Sequence, residues 1–206
     1  MVTRTRIYLV RHGQVEGHQE KRYNGQTDVA LTALGMQQYA ALTERLREKR
    51  IGAIYSSDLS RCVIGSRMLA APHRLQPVPC PALRELNMGQ WEGTVWRDLK
   101  RLYPEQWQAR LDDVVHYRAP GGENLLDVLD RVRPQIRRIV ADHQGEDVVV
   151  VAHGGVNRLI LLDAIGAPPD RLFSVEQNYG CLNIIDYFAD GISVVKLVNG
   201  AVTDDP

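Results

Sequence analysis

The chain contains 206 residues, of which 44% are hydrophobic, and its 25 basic and 25 acidic residues give a formal net charge of zero. This length can bury one large core, and no polar or low-complexity segment divides it, so we predict a single domain over residues 1–206. The balanced charge argues against proteins that coat nucleic acid or bind membranes through a polybasic surface, so an anion site must come from local clustering of charges.

The cysteines and the N-terminal segment bear on location. Cys62, Cys80 and Cys181 are odd in number and widely spaced, which argues against the disulfide framework of a small secreted protein. The apolar segment Ile7–Val10 is too short for a signal peptide, and no other segment is long and apolar enough to span a membrane. We therefore expect a cytoplasmic protein without a membrane or nucleic-acid partner.

The N-terminal part of the chain predicts a strand, a long loop and a helix. The β-branched and aromatic run Ile7–Val10 predicts a buried strand that stops at Arg11. Residues 13–30 carry turn formers without periodicity, which is typical of a functional loop. Thr32 is the predicted N-cap of the first helix, whose exposed end lies at residues 44–50.

A second strand and helix follow. Residues 53–55 predict a strand, after which Ser57 or Asp58 would cap a helix that continues to about Ala71. Prolines then interrupt the chain, and the sequence predicts an extended region with one short strand near residues 75–78.

The segment after this region predicts mainly helices. Short helices are expected over residues 94–115, broken at Pro104. The Gly121-Gly122-Glu123 segment leads into a longer helix through about His143, whose apolar residues share one face.

The C-terminal part completes the predicted sheet. Residues 148–152 form an unalternating apolar run typical of a central parallel strand, and a helix over residues 156–165 follows it. Residues 181–198 predict two strands joined by a hairpin turn at residues 189–191. The elements together predict an α/β three-layer sandwich with a mostly parallel central sheet, an antiparallel edge and helices on both faces.

Two predicted strands run directly into a histidine and a glycine. His12-Gly13 follows the first strand and His153-Gly154 follows the apolar strand at residues 148–152. Ligands of open α/β sheets bind beyond the carboxyl ends of the strands, so we expect both pairs to share one site. The glycines would let the backbone approach a ligand, and the helix that starts near Gly155 would direct its positive end at an anion.

Two arginines indicate that this anion is a phosphate. Arg11 precedes His12, and Arg61 lies just past another strand end. The forked guanidinium groups match phosphate oxygens in a bidentate fashion. Two permanent cations disfavour protonation of a nearby imidazole, so one histidine can stay neutral as a nucleophile while the other, bonded to the phosphate, can stay protonated.

A proton donor for the departing alkoxide is also needed. Residues 83–93 form a loop that carries two carboxylates, and on residue type alone either Glu85 or Glu92 could be the acid.

Four segments in this order resemble the histidine phosphatase superfamily, in its phosphoglycerate-mutase-like branch. They are Arg11-His12-Gly13, Arg61 in the segment 57–61, Glu85 four residues before Gly89, and His153-Gly154. The resemblance covers nearly the whole chain. It implies a nucleophilic His12, a phosphate pocket of Arg11, Arg61 and His153, Glu85 as proton donor, and a structural Glu92.

The resemblance also bears on substrate contacts. Gly25 matches a loop glycine that contacts phosphate through its backbone, and Gln14 and Gly154 join the predicted substrate-binding residues. Gln14 stands where many members have glutamate. His18 stands where many have an asparagine that touches phosphate, so we leave it outside the predicted site. No metal or cofactor is expected, because the arginines supply the positive charge that magnesium provides in other phosphoryl-transfer sites.

Other functions are less compatible with the sequence. Paired metal-ligand motifs of a metal hydrolase and the Gly-x-Ser-x-Gly elbow of a serine hydrolase are both missing. A non-catalytic module that binds phosphorylated ligands is the alternative from another class. The family also includes phosphoglycerate mutases with a longer insertion after the Glu85 region, and the short segment between Gly93 and Gly121 favours hydrolysis over transfer.

The expected partner is a small phosphorylated metabolite. Residues 120–124 and 178–186 are similar to those of bacterial α-ribazole phosphatases within the family, so α-ribazole 5′-phosphate is the first candidate substrate. A phosphoglycerate mutase and a broad-specificity sugar-phosphate phosphatase are the alternatives. A homodimer is left open, because an edge strand or a helix face could pair.

Overall fold

The computed structural model describes residues 3–201, which contain six strands and six α-helices in addition to several short 3₁₀ turns. The strands are β1 (Arg4–Arg11), β2 (Ile51–Ser56), β3 (Val78–Pro79), β4 (Asp147–Ala152), β5 (Leu182–Phe188) and β6 (Ser193–Gly200). The helices are α1 (Ala33–Leu46), α2 (Ser60–Ala70), α3 (Trp96–Leu102), α4 (Pro104–Asp112), α5 (Leu125–Asp142) and α6 (Gly154–Ala164).

The strands form one sheet in the order β3-β2-β4-β1-β5-β6. Pairing is parallel among β3, β2, β4 and β1, whereas β5 is antiparallel to both β1 and β6. The predicted mostly parallel sheet with an antiparallel edge is therefore confirmed. Because β1 and β4 are adjacent and parallel, their carboxyl ends meet at the same edge, with Arg11 opposite Ala152.

Both faces of the central strands are buried, which explains their unalternating apolar sequences. Successive side chains point to opposite faces, so Leu9 and Val150 pack into one core while Val10 and Val151 pack into the other. Residues of α5 and α6 complete the first core, and residues of α1 and α2 complete the second. The predicted three-layer arrangement with helices on both faces follows from this packing.

Helix starts agree with the sequence in some places and not in others. Thr32 caps α1 as predicted, since its Oγ1 accepts a hydrogen bond from Gly35 N at 3.0 Å. Ser57 and Asp58, the predicted caps of α2, do not fill this role. The N-cap position is Leu59, and the first amide of the helix, Ser60 N, donates instead to Asp28 Oδ1 at 2.8 Å.

The predicted caps of α2 contact other side chains instead. Asp58 forms a bidentate ion pair with Arg84 at 2.6 and 2.7 Å, and the hydrogen bonds from Arg84 lower the pKa of this carboxyl. The predicted strand near residues 75–78 is shorter and later than expected, because only Val78 and Pro79 reach β2 to pair with it.

The helices within residues 3–201 include none that combines the length and the apolar character needed to cross a membrane.

Candidate active site

The two histidine-glycine segments meet at the carboxyl ends of β1 and β4. His12 N donates a backbone hydrogen bond to Ala152 O at 3.0 Å, which continues the β1–β4 pairing by one residue. The rings of His12 and His153 consequently lie edge to face, with their centroids 5.1 Å apart. The expectation that the two strand ends form one site agrees with this geometry.

His12 is held as a neutral imidazole with one ring nitrogen free. The side chain is buried, and its Nδ1 lies 2.8 Å from Gly13 O, so Nδ1 carries the proton and Nε2 keeps its lone pair. Burial, followed by the nearby charges of Arg11 and Arg61, lowers the pKa of His12 well below its ordinary value. Such a ring is a nucleophile over the whole neutral range.

His153 is also neutral in this geometry, and protonation of a histidine that is bonded to phosphate stays a prediction. Arg61 Nε donates to its Nδ1 at 3.3 Å, and its Nε2 lies 2.8 Å from Ser57 Oγ. Burial, followed by the charges of Arg61 and His12, lowers the pKa of His153 well below its ordinary value. Ser57, predicted as a helix cap, instead orients this ring.

The two buried histidines make stability depend on pH. Below about pH 6.5, the ordinary histidine pKa, the unfolded chain takes up protons that the folded chain cannot hold. We expect the free energy of unfolding to fall by up to about 1.4 kcal/mol per pH unit for each histidine as pH drops below this value. Urea denaturation between pH 7.5 and 5.5 measures the slope.

A matched pair of variants isolates this effect. His153→Gln should show a shallower slope than the wild type, whereas Leu111→Gln, at an exposed position, removes no titratable group and should leave the slope as it is. Equal slopes in His153→Gln and the wild type would contradict the assignment of buried, neutral rings.

Arg61 is buried and fixed by loop carbonyls. Its side chain is 2% exposed, Nη1 donates to Thr27 O at 2.8 Å, and Nη2 donates to Gly25 O at 2.7 Å. With Nε bonded to His153, three edges of the guanidinium are held before any ligand binds. Preorganised donors of this kind cost no reorganisation during a reaction.

Substitution of Arg61 should therefore be costly. A single preorganised donor is worth about 3 to 4 kcal/mol in the transition state, so we expect Arg61→Met to lower kcat/KM by about a hundredfold or more. Steady-state hydrolysis of an aryl phosphate measures the loss. Arg67→Met, at an exposed position of the same helix, is the matched control and should keep wild-type activity. Retention of activity in Arg61→Met would remove this residue from the site.

Arg11 approaches the site from the end of β1. Its Nη1 donates to Gln177 O, and its guanidinium carbon lies 3.9 Å from the centroid of the Tyr179 ring. Tyr179 in turn packs against His12, with ring centroids 5.6 Å apart. The two arginines thus reach the same histidine from different elements.

Glu85 lies at the N-terminus of α6. Its Oε2 accepts from Gly155 N at 3.0 Å, and its Oε1 accepts from Leu86 N at 3.0 Å. A Cβ at Gly155 would come within 2.6 Å of Glu85 Oε1, so only glycine allows the carboxylate this close to the helix. The sequence directed attention to this helix start as an anion site, and in the structure a carboxylate side chain occupies it.

Glu92 fixes the loop at residues 25–27, whose carbonyl groups accept hydrogen bonds from Arg61. Its Oε1 accepts from Gln26 N at 2.8 Å and from Met88 N at 3.2 Å, and its Oε2 accepts from Thr27 Oγ1 at 2.7 Å. These bonds aim the carbonyls of residues 25 and 27 at Arg61. Of the two carboxylates left open by residue type, Glu92 is engaged structurally and Glu85 borders the cavity.

The remaining predicted residues have mixed positions. Gly25 lies on the cavity wall with a positive φ of 48°. Gln14 faces away from the cavity, because its Oε1 accepts from Thr32 Oγ1 at 2.9 Å. Gly154 lies behind Arg11, where a Cβ would approach Arg11 Nε to 3.2 Å. The backbone of Gly13 packs against Gly35 of α1, where a Cβ would come within 2.4 Å of Gly35 O, so its small size serves that contact.

A cavity of about 270 Å³ is lined by Arg11, His12, Gly25, Arg61 and Glu85. Residues that the sequence did not single out line it together with His12 and Glu85: Arg22, Tyr23, Arg110, Arg158, Phe173 and Tyr179. Arg158 follows His153-Gly154-Gly155 in the first turns of α6, and this position is a signal that could have been used. Arg110 has no comparable signal, since α4 is mostly polar.

The part of the chain from residue 3 to residue 201 contains no group of three or more His, Cys, Asp or Glu side chains arranged to hold a metal ion.

The site can be compared with known proteins. A family model described as histidine phosphatase superfamily (branch 1) matches residues 7–200. The metal-independent phosphoserine phosphatase of Arabidopsis thaliana is 36% identical over 161 residues, which cover 77% of this chain and 68% of that protein. The bifunctional protein Rv2228c of Mycobacterium tuberculosis is 34% identical over 198 residues, which cover 96% of this chain. The chain spans only 54% of the length of this mycobacterial relative.

Solved structures show the same fold. The α-ribazole phosphatase from Shigella flexneri superposes with a TM-score of 0.86 at 26% sequence identity, covering 98% of this chain and 100% of that protein. The common fold therefore extends over almost the whole length of both chains.

Proposed function

The chain belongs to the histidine phosphatase superfamily (branch 1), and on that premise we propose that it hydrolyses phosphomonoesters of small metabolites through a phosphohistidine formed on His12. The observation that carries the proposal is the state of His12. It is a buried, neutral imidazole whose Nδ1 is tied to a carbonyl and whose neighbours are two arginines. The proposal treats residues 1–206 as one catalytic domain.

The first half-reaction transfers the phosphoryl group to the histidine. Nε2 of His12 attacks phosphorus, the N–P bond forms, and the bond between phosphorus and the alcohol oxygen breaks. Glu85, at the border of the same cavity, acts in this step as the protonated acid and gives its proton to the departing oxygen, which leaves as a hydroxyl group.

The second half-reaction returns the enzyme to its starting state. Glu85, now a carboxylate, takes a proton from a water molecule, and the oxygen of this water attacks the phosphohistidine. The N–P bond breaks, inorganic phosphate leaves, and both His12 and Glu85 regain their original protonation states. Charge on the phosphoryl oxygens is balanced in both steps by Arg11 and Arg61, the latter held in place by His153.

Two features support particular substrates. Trp96 and Phe173, which line the cavity, are 37% and 63% exposed, and such surfaces suit a leaving alcohol that carries a planar group, such as the base of α-ribazole. The similarity to the Shigella flexneri α-ribazole phosphatase supports the same candidate. The arginines in the cavity wall instead favour a leaving alcohol that carries negative charge, such as the glycerate of phosphoglycerate or a sugar with a second phosphate.

A substrate panel tests the proposal. We expect release of inorganic phosphate from at least one of α-ribazole 5′-phosphate, glucose 6-phosphate and 3-phosphoglycerate, with a parallel assay for movement of phosphate between the hydroxyls of phosphoglycerate. If phosphate moved between the hydroxyls of phosphoglycerate faster than it was released, the protein would be a mutase and the phosphatase proposal would be wrong. Binding without turnover of any compound would point to a non-catalytic module. A homodimer stays a prediction that gel filtration with light scattering would test.

Activity should also be independent of divalent cations. The positive charge at the site comes from Arg11 and Arg61, so we expect the same kcat in excess EDTA as in added magnesium. A strict requirement for magnesium would contradict the proposal that the two arginines alone supply the positive charge at the site.

A further inference from the structure

The cavity carries more positive charge than one phosphate requires. Five arginines line it, whereas Glu85 is the one carboxylate residue in its wall as far as residues 3–201 show. The proposed function assigns Arg11 and Arg61 to the transferred phosphate, and Arg22 pairs with Glu20. Arg110 and Arg158 remain without an assigned role.

Arg110 is buried although it is charged. It belongs to α4, and α3 and α4 form the cover segment (residues 96–112), from which Trp96 and Arg110 line the cavity. Arg110 is only 7% exposed. Nε donates to the Tyr23 hydroxyl at 3.2 Å, and the guanidinium carbon lies 5.6 Å from the centroid of the Tyr23 ring. Among the residues that the structure describes, no carboxylate lies within 4.0 Å of this group. A buried guanidinium that lines a cavity and has no carboxylate partner is suited to bind an anion from outside the chain.

Arg158, on α6, lines the same cavity and is half-buried. Its Nε donates to Val175 O at 2.6 Å, which leaves the outer nitrogens to the cavity. Burial lowers the pKa of Arg158, and the charge of Arg11 lowers it further. Arg11 and Arg158 therefore repel each other beside the cavity that Arg110 also lines, and negative charge on a ligand would offset this excess of positive charge.

We propose that Arg110 and Arg158 bind a second anionic group on the leaving alcohol, so that the preferred substrates are phosphomonoesters whose alcohol also carries a carboxylate or another phosphate. This inference rests on the proposed function and narrows its substrate class. It ranks neutral leaving groups, the α-ribazole nucleoside among them, below charged ones of similar size. In this arrangement Arg110 of the cover segment binds the alcohol part of the substrate, and His12 at the end of β1 reacts with the phosphate.

Matched substrate pairs test the inference on the wild-type protein. 3-Phosphoglycerate and glycerol 3-phosphate differ by a carboxylate, and fructose 1,6-bisphosphate and fructose 6-phosphate differ by a phosphate. We expect kcat/KM to be about tenfold to a hundredfold higher for the more anionic member of at least one pair, as one charge-assisted bidentate contact allows. The pair that responds identifies the anion as a carboxylate or a phosphate.

Variants then connect the preference to the two arginines. Arg158→Gln and Arg110→Gln should each reduce the preference about tenfold or more, mainly through a higher KM for the anionic member, and Arg110→Lys should restore part of it. Arg101→Gln, at an exposed position in α3 of the same cover, is the matched control and should keep the wild-type preference. If Arg110→Gln does not fold, Arg158→Gln and the wild-type pairs still decide the question.

The results separate this inference from the proposed function. Hydrolysis of p-nitrophenyl phosphate with no preference in either pair would overturn the second anion site and leave the phosphatase intact. An equal loss on all substrates in Arg158→Gln would assign this residue to the transferred phosphate instead. No hydrolysis of any compound, p-nitrophenyl phosphate included, would overturn the proposed function itself.

Discussion

His12→Ala is expected to lower kcat/KM for phosphomonoester hydrolysis by about 10⁴-fold or more. Removal of a nucleophile eliminates the covalent route, and what remains is binding and charge stabilisation by the surrounding groups. The loss should appear in kcat, because Arg11 and Arg61 still bind the phosphate. Stopped-assay release of inorganic phosphate over hours gives enough sensitivity to measure such a residual rate.

The covalent intermediate provides a second measurement. Rapid acid-free quenching of the wild-type protein with substrate should show a phosphorylated species by mass spectrometry, and peptide mapping should place the phosphate on His12. His73→Ala is the matched control, since His73 lies at the end of a 3₁₀ turn after α2, and it should keep full activity. A phosphorylated protein recovered from His12→Ala at the wild-type level would assign the nucleophile to another residue.

Glu85→Gln is expected to lower kcat by about 10² to 10⁴-fold on alkyl phosphates, because general acid and base catalysis contributes on this scale. The loss should be much smaller for phosphorylation of the enzyme by p-nitrophenyl phosphate, whose leaving group departs without a proton. The amide keeps one oxygen able to accept from Gly155 N or Leu86 N, so the change in local structure should be limited. Pre-steady-state burst kinetics separate the two half-reactions.

The burst distinguishes a proton donor from a structural residue. We expect Glu85→Gln to give a burst of p-nitrophenol followed by slow turnover, since the water in the second step still needs a base. Glu105→Gln, at an exposed position of α4, serves as the control and should match the wild type in both phases. Equal losses for aryl and alkyl phosphates in both phases would indicate that Glu85 only supports the fold of the site.

The sheet was predictable because its strands carry strong local signals. Ile7–Val10 and residues 148–152 are apolar runs that end at histidine and glycine, and this pattern requires burial on both faces and a functional edge. The order of the strands is a tertiary property. It follows from the packing of α5 and α6 on one face and α1 and α2 on the other, which no local pattern reports.

The caps of α2 illustrate why local rules were insufficient there. Ser57 and Asp58 have the residue types that cap helices, but each finds a stronger partner that is distant in sequence. Ser57 bonds His153, and Asp58 pairs with Arg84, so Asp28 from the preceding loop takes over the first amide of the helix. Competition among partners is decided only when the chain is folded.

By itself, the sequence determined the elements of this protein, its family resemblance and the strand ends at which His12 and His153 would meet. Only the tertiary structure decided that both rings are neutral, that Glu92 steadies the loop bonded to Arg61, and that Arg110 and Arg158 enter the same cavity. The physical reason is the sequence distance over which each interaction acts. Hydrophobic periodicity acts over a few residues, whereas burial, charge repulsion and carbonyl contacts depend on groups that the fold brings together from distant positions.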